Sequence, residues 1–495
     1  MFRLPAILLV ASAFAAVRPN IVILYADDMG YGDLGVQNPQ SKIPTPHLDK
    51  LAQAGMRFTD AHSSSGICTP SRYALLEGRY HWRKFHGIVN SFDQPVMDDE
   101  KLTMAEMLKA QGYQTACIGK WHLGWDWNAI KHPGAEPSQA KGKGKGGAGF
   151  APDAFDWSKP IPGGPLSHGF DHYFGDDVPN FPPYAWFEND RVITTPTVAL
   201  TTTAPTAEGS WEARPGPAVK DWDFWAVMPT LTQKAEEWIG RQKQDTPFFL
   251  YFPFTSPHAP IVPTQEFTGK SGANGYGDFM VQTDDTVGRV LAALEKHGFA
   301  DNTLVIFTAD NGPEHYAYER VKNFGHRSMG PLRGLKRDIW EGGHRVPFIV
   351  RWPGVVPAGK VNDGLISQID LFATIASIVG SNIPAGSAED SFNQLALIKG
   401  AGPSARATVV HNTNPNGYAL RHGDWVLIEA KTDGVSKVPA WFDEANGYTA
   451  KTQPGELYNL RDDLSQQHNL HAEKPEKVAE LKALLAKVRE KGQVR

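Results

Sequence analysis

The chain has 495 residues, 41% hydrophobic and 21% charged, with 49 Lys and Arg against 54 Asp and Glu for a net charge of −5. That length and apolar content can bury one large core with an appendage, or two to three domains. A mildly acidic balance argues against a nucleic-acid partner, and an anionic substrate would need a local cluster of cations.

The first residues, MFRLPAILLVASAFAAVRPN, place Arg3 before an apolar run at 4–10 and small residues around Ala13 and Ala15. They read as a secretory signal peptide over 1–16, its apolar run too short to span a bilayer. No later segment is apolar enough, so no membrane span is expected. Two cysteines cannot make a disulfide framework, and the chain has no Asn-x-Ser/Thr acceptor. Both counts point to a bacterial periplasmic or extracellular protein.

Apolar runs at 21–25, 113–118, 248–254, 303–308 and 346–350 read as buried parallel strands. Helical patterns lie between them at 47–54, 103–110, 284–297 and 368–379. The alternation predicts an α/β domain with a large, mostly parallel sheet flanked by helices. The Gly/Lys-rich run in 134–152 reads as a flexible insertion, and the Thr/Pro-rich 194–219 as loop. After about residue 380 the rhythm stops. A strand at 425–429, turns, and a helix with Val478, Leu481, Leu485 and Val488 on one face predict a smaller α+β subdomain. The expected division is a domain over 17–385 and a subdomain over 386–495, an antiparallel sheet plus terminal helix.

In open α/β sheets, ligands bind outside the carboxyl ends of the strands. Four of the predicted strands run into unusual chemistry there: Asp27-Asp28, Lys120-Trp121-His122, Ser256-Pro257-His258 and Asp310-Asn311. Any one of these groups alone is best read as a surface turn. Together, Asp27, Asp28, Asp310 and Asn311 make an all-oxygen set that suits Ca²⁺ or Mg²⁺ better than zinc. Lys120, Lys336 and Arg72 would form an anion clamp beside it, and His122 and His258 are the natural proton shuttles. A metal, an anion clamp and two acid/base groups fit hydrolysis of a phosphate or sulfate ester.

That constellation needs a nucleophile. Cys68 stands just before Pro70, which favours the first turn of a helix, and the helix start with Arg72 would stabilise negative charge on its side chain. Locally the segment also allows a metal ligand, half a disulfide with Cys117, or a small core residue.

Cys68-Thr69-Pro70-Ser71-Arg72 resembles the C-x-P-S-R signature of the type I, formylglycine-dependent sulfatases of the alkaline phosphatase superfamily. The stretch GYQTACIGKWH, 112–122, is similar to a second signature of that family. The likeness continues through Asp27-Asp28, Ser256-Pro257-His258, Asp310-Asn311-Gly312, Gly334-Leu335-Lys336 and Glu341-Gly342-Gly343 to ELYNLRDDLSQQHNL at 456–470. It implies an alkaline phosphatase-like fold and a sulfuric ester hydrolase. It also implies Ca²⁺, with Mg²⁺ as the other hard cation, held by Asp27, Asp28, Asp310, Asn311 and residue 68. By resemblance, a modifying enzyme oxidises Cys68 to Cα-formylglycine, whose hydrate is the nucleophile. Arg72 would lower the pKa of its hydroxyl, and Lys120 and Lys336 would neutralise the sulfate oxygens. His258 with Lys336 would protonate the leaving alcohol, and His122 would deprotonate the second hydroxyl. One departure stands out: Glu77 precedes Gly78-Arg79 where the family usually has Thr or another small or basic residue.

The resemblance is closest in type to arylsulfatases and N-acetylgalactosamine-6-sulfatases, so a sulfated saccharide is the expected substrate. His168 opens a motif similar to one that precedes the family's variable substrate loops. His168, Tyr173, Tyr184, Trp186, His315 and Arg327 are candidate sugar contacts. Two alternatives stay open: a phosphoester or phosphonate hydrolase of the same superfamily, and a Ca²⁺-dependent exported binding protein with an unmodified Cys68 bridged to Cys117.

Overall fold

The computed structural model describes residues 18–137, 149–200, 206–209, 212–414, 417–430, 436–448 and 454–491. The expected signal peptide and most of the Gly/Lys-rich insertion lie outside the described residues. So do parts of the Thr/Pro-rich stretch, although it does contain the short strand pair Val198–Leu200 and Gly216–Ala218.

Five strands run parallel at the centre of a ten-stranded sheet, in the spatial order Thr303–Ala309, Asn20–Ala26, Phe248–Pro253, Gln114–Lys120 and His172–Asp177. Asn20–Ala26, Phe248–Pro253 and Thr303–Ala309 are buried along their whole length because both faces are covered. Ile21, Ile23 and Tyr25 face one core while Val22, Leu24 and Ala26 face the other. The helices Pro46–Gln53, Val227–Gly240 and Asn274–Lys296 pack on the second face, through Leu48, Leu231 and Phe279 among others. Cys68–Glu77, Met104–Ala110 and Asp370–Val379 pack on the first, through Leu75, Leu108 and Phe372. Burying a side chain of this size stabilises by about 1.5–3 kcal/mol.

One predicted strand differs. Phe348–Arg351 is buried, as expected, but pairs antiparallel with Thr303–Ala309, so the sheet is mixed. The apolar run could not reveal this, because a strand covered on both faces reads the same in either direction.

The C-terminal part is a four-stranded antiparallel sheet, Thr408–Asn414, Gly417–His422, Trp425–Ile428 and Glu456–Asn459. The helix Pro475–Lys491 buries Val478, Leu481, Leu485 and Val488 against it. Ala74 of the Cys68 helix and Ile369 share that cluster, which joins the subdomain to the main sheet directly behind the Cys68 segment.

Candidate active site

The parallel register brings the four strand ends to one edge. Ala26 is level with Ala309, Asp27 N–H donates to the Ser256 carbonyl (3.0 Å) and Asp310 N–H to the Ala26 carbonyl (3.0 Å). Gly119 lets the neighbouring strand close in: a Cβ there would meet the Pro253 carbonyl oxygen at 1.9 Å, and its φ is +124°. Asp28 (φ 65°) and His122 (φ 55°) then leave their strands in the left-handed region, which side chains other than glycine rarely adopt. Such backbone persists where surrounding contacts enforce it, and functional sites concentrate it.

Three buried ion pairs organise the edge. Lys120 Nζ is 2.6 Å from Asp27 Oδ2, Lys336 Nζ is 2.6 Å from Asp28 Oδ1, and Arg72 NH2 is 2.8 Å from Asp310 Oδ2. Arg72 NH1 also donates to the Lys120 carbonyl at 3.0 Å. Asn311 donates its amide to Asp28 Oδ1 (2.7 Å) and the Gly312 carbonyl (2.9 Å), which fixes its orientation. Two oxygens then remain buried without a hydrogen-bond partner, Asp27 Oδ1 and Asn311 Oδ1. Orphaned acceptors of this kind are costly unless a cation or donor meets them. Three carboxylates against three cations make the edge neutral, so a hard dication would leave it positive, as an anionic ester requires. The donor set therefore fits Ca²⁺ or Mg²⁺.

The titrations follow from crowding. Burial raises the Asp27 carboxyl, but Lys120, His258, Arg72 and Lys336 outweigh it and hold it well below the usual range. Burial and the Asp27 charge push Asp310 upward, against Arg72. Burial works against the Lys336 charge, and Asp28 above all holds it protonated.

Cys68 is the first residue of its helix, 1% exposed, and both cysteines are free. Arg72, expected to stabilise negative charge at the Cys68 side chain, is bonded to Asp310. Burial raises the thiol pKa, Asp310 and Asp27 raise it too, and Arg72 spends its guanidinium on Asp310. Lys120 and Lys336 act in the opposite direction, and burial outweighs them.

The histidines carry complementary tautomers. His122 Nε2 faces the Val89 carbonyl at 2.9 Å, so it bears the proton and leaves Nδ1 as a buried, unpartnered acceptor. Burial, Lys120 and Arg72 keep this ring neutral. His258 Nδ1 faces the Ala259 carbonyl, leaving Nε2 3.6 Å from Asp28 Oδ2. Burial and Lys336 lower its pKa.

The predicted sugar contacts divide. Tyr173 is fully buried, with its hydroxyl on the Gly119 carbonyl (3.2 Å), and His168 is buried and stacked on Trp121. Tyr184 is buried as well, its hydroxyl on the Arg214 carbonyl. All three rings are packed among neighbouring side chains close to the strand ends. Trp186 is half-buried against Phe174 and Trp222. His315 is exposed beside Glu314, and Arg327 lines a cavity of about 320 Å³ with Tyr31, Asn38 and Pro331. That cavity contains none of the strand-end residues.

Sequence reasoning missed a supporting layer. Tyr276 donates to the Asp28 carbonyl (3.2 Å) and to Asp33 Oδ2 (2.6 Å), and His326 Nε2 is 2.8 Å from Asp33 Oδ1. Asp33 lies in the same DDMGYGD run as the two aspartates, the one local signal available. Asp177 Oδ1 accepts from the His122 N–H (3.2 Å), and Arg337, at φ 76°, forms an ion pair with Glu314 next to Lys336.

The family model "Sulfatase" matches residues 19–381. An N-acetylgalactosamine-6-O-sulfatase of Bacteroides thetaiotaomicron is 34% identical, over 95% of this chain and 93% of the relative. Human arylsulfatase A is 33% identical, over 94% and 86%. A solved structure from a study of glycosaminoglycan metabolism by Bacteroides thetaiotaomicron superposes with a TM-score of 0.79 at 31% identity. It covers 96% of this chain and 100% of its own. The chain belongs to the sulfatase family and is a sulfuric ester hydrolase.

Proposed function

We propose that this enzyme removes sulfate from a sulfated saccharide of the glycosaminoglycan type, using formylglycine made from Cys68 by a modifying enzyme and a hard divalent cation, Ca²⁺ first. The observation that carries the chemistry is the pair of unpartnered oxygens, Asp27 Oδ1 and Asn311 Oδ1, amid Lys120, Lys336 and Arg72. The substrate class rests on the relatives named for N-acetylgalactosamine 6-sulfate chemistry. Export follows from the signal-like N-terminus, and no helix among the described residues is long and apolar enough to cross a membrane.

Asp27, Asp28, Asp310, Asn311 and residue 68 would hold the cation, which supplies Lewis-acid polarisation of the sulfate oxygens. The formylglycine hydrate supplies a hydroxyl nucleophile with a second hydroxyl for release. The rest belongs to side chains. Lys120 and Lys336 bring charge to the ester oxygens at a site closed to water, where electrostatic stabilisation is strongest. Arg72 orients Asp310 through its Nε and NH2, so that the carboxylate can take a proton. His122 Nδ1 is the unprotonated base in the structure, and Lys336, held protonated by Asp28, would supply the proton of the leaving oxygen with His258 beside it.

The test is mass spectrometry of the residue-68 peptide from the native host, with rates on 6-sulfated N-acetylgalactosamine and on matched aryl sulfate and phosphate esters. Aldehyde at residue 68 and preference for the sulfated sugar support the proposal. A retained thiol, or faster phosphate cleavage, overturns it.

A further inference from the structure

Behind the Cys68 segment lies a second cluster that the hydrolysis does not use. His62 is on the short strand Ala61–His62, His344 ends the turn Glu341–His344, and His411 is on the first strand of the C-terminal sheet. All three are buried, and one ring nitrogen of each lies within 4.8 Å of the others.

The hydrogen bonds dictate where the protons sit. His62 Nε2 is 2.8 Å from Asp60 Oδ1 and His344 Nε2 is 2.9 Å from the Ile339 carbonyl. Both partners are acceptors only, so both Nε2 atoms carry the hydrogen. Arg421 donates to the two Asp60 oxygens at 2.6 and 2.7 Å, far shorter than its 3.3 Å approach to His62 Nε2. With the His62 hydrogen on the Asp60 side, the two Nδ1 atoms face each other at 3.1 Å as lone pair against lone pair. A cation between them removes that repulsion. Two nitrogens on one tetrahedral zinc are separated by about 3.3–3.4 Å, given Zn–N bonds of about 2.0–2.1 Å.

The third ring supplies an independent sign. His411 is 2% exposed and neither of its nitrogens has a hydrogen-bond partner; the Ser64 backbone approaches it without a well-formed bond. We propose that His62, His344 and His411 form a structural zinc site that fastens the C-terminal sheet to the loop leading into Cys68. Asp60 and the Ile339 carbonyl are the outer partners that orient metal-bound imidazoles. Asp60 and Glu341 are already matched by Arg345 and Arg421, so the site suits a metal taken by neutral imidazole rather than a hard cation. Burial keeps His344 and His411 neutral, the form that binds metal. His411 now lies flat on His344, centroids 3.5 Å apart at 12°, so ligation turns the His411 ring off that stack, with no hydrogen bond to break.

The coupling to the active segment is direct. Ser63 N–H donates to the His344 carbonyl (2.8 Å) and Ser65 Oγ to the Asn412 carbonyl (2.8 Å). Untagged protein loaded with ZnCl₂ and desalted tests the site by metal analysis and by the visible spectrum of the Co²⁺ form. About one zinc per chain is expected, with a tetrahedral Co²⁺ spectrum. Both should persist in Cys68→Ser and Asp310→Ala, which removes the active-site carboxylates as the source. Both should vanish in His411→Gln, and Asp60→Asn should weaken zinc affinity roughly tenfold or more. Folded wild-type protein holding less than about a tenth of an equivalent, zinc kept by His411→Gln, or zinc lost in Asp310→Ala would each overturn the site.

Discussion

Arg72 and Asp310 form a two-point buried pair, with Nε at 3.2 Å and NH2 at 2.8 Å from the same carboxylate oxygen. The arginine of the signature thus serves a strand-end carboxylate, not the cysteine four residues before it. Arg72→Ala leaves that carboxylate uncompensated in the interior and is expected to destabilise by about 3–5 kcal/mol in denaturant titrations. Arg72→Lys keeps the charge but loses the fork, and kcat should fall by about 10²-fold or more.

Cys68→Ala should abolish turnover while the fold stays intact, with about 1 kcal/mol lost to the small cavity. Circular dichroism and sulfate release check the two halves separately. Normal turnover by this variant would remove residue 68 from the mechanism.

Glu77 has a place in the fold. It ends the Cys68 helix, fully buried, and its Oε1 accepts the Asp98 N–H at 2.9 Å. Burial pushes its carboxyl up to about 7, against Tyr73, the Asp98 N–H and Arg79. A raised acid binds its proton more tightly in the native state, so its contribution to stability is full below about 4.5 and is lost as pH rises through about 7. The shift corresponds to about 3 kcal/mol. Glu77→Gln should flatten the pH dependence of Tm across that window, and an unchanged slope would refute the assignment.

His122 Nδ1 is the unpartnered base. His122→Ala is expected to lower kcat by about 10²–10⁴-fold with little change in KM, since the ring does not hold the substrate's charge. Steady-state kinetics on an aryl sulfate separate the two constants.

Removing divalent cations with EGTA should lower both activity and Tm, and Ca²⁺ should restore them. At a hundred times its Kd a ligand adds about 2.7 kcal/mol. Asn311→Ala deletes one of the two unpartnered oxygens and should weaken that Ca²⁺-dependent rise in Tm.

The central strands were readable because burial on both faces writes a continuous apolar run, and their carboxyl ends followed from parallel pairing. The direction of Phe348–Arg351 was not, since pairing sense leaves no mark in such a run. The ionic groups Asp27, Lys120 and Asp310 were legible as outliers at strand ends, whereas Lys336 comes from a loop between helices. The sequence does not give the burial of Tyr173 and His168, because an aromatic or imidazole near a site looks the same whether it faces outward or backs the strand. The Asp33–His326–Tyr276 support joins residues nearly three hundred positions apart, beyond what spacing can express.

The helix Cys68–Glu77 is buried on every side, with Gly78 turning it out against Phe372 and Ala388. An enzyme large enough to act on the Cys68 sulfur cannot reach it once that helix has docked. If residue 68 is modified as proposed, that chemistry therefore has a deadline: it belongs to the interval between synthesis and folding. What such an enzyme reads must be linear sequence, and a chain that folds first is left with an inert thiol sealed in its own core.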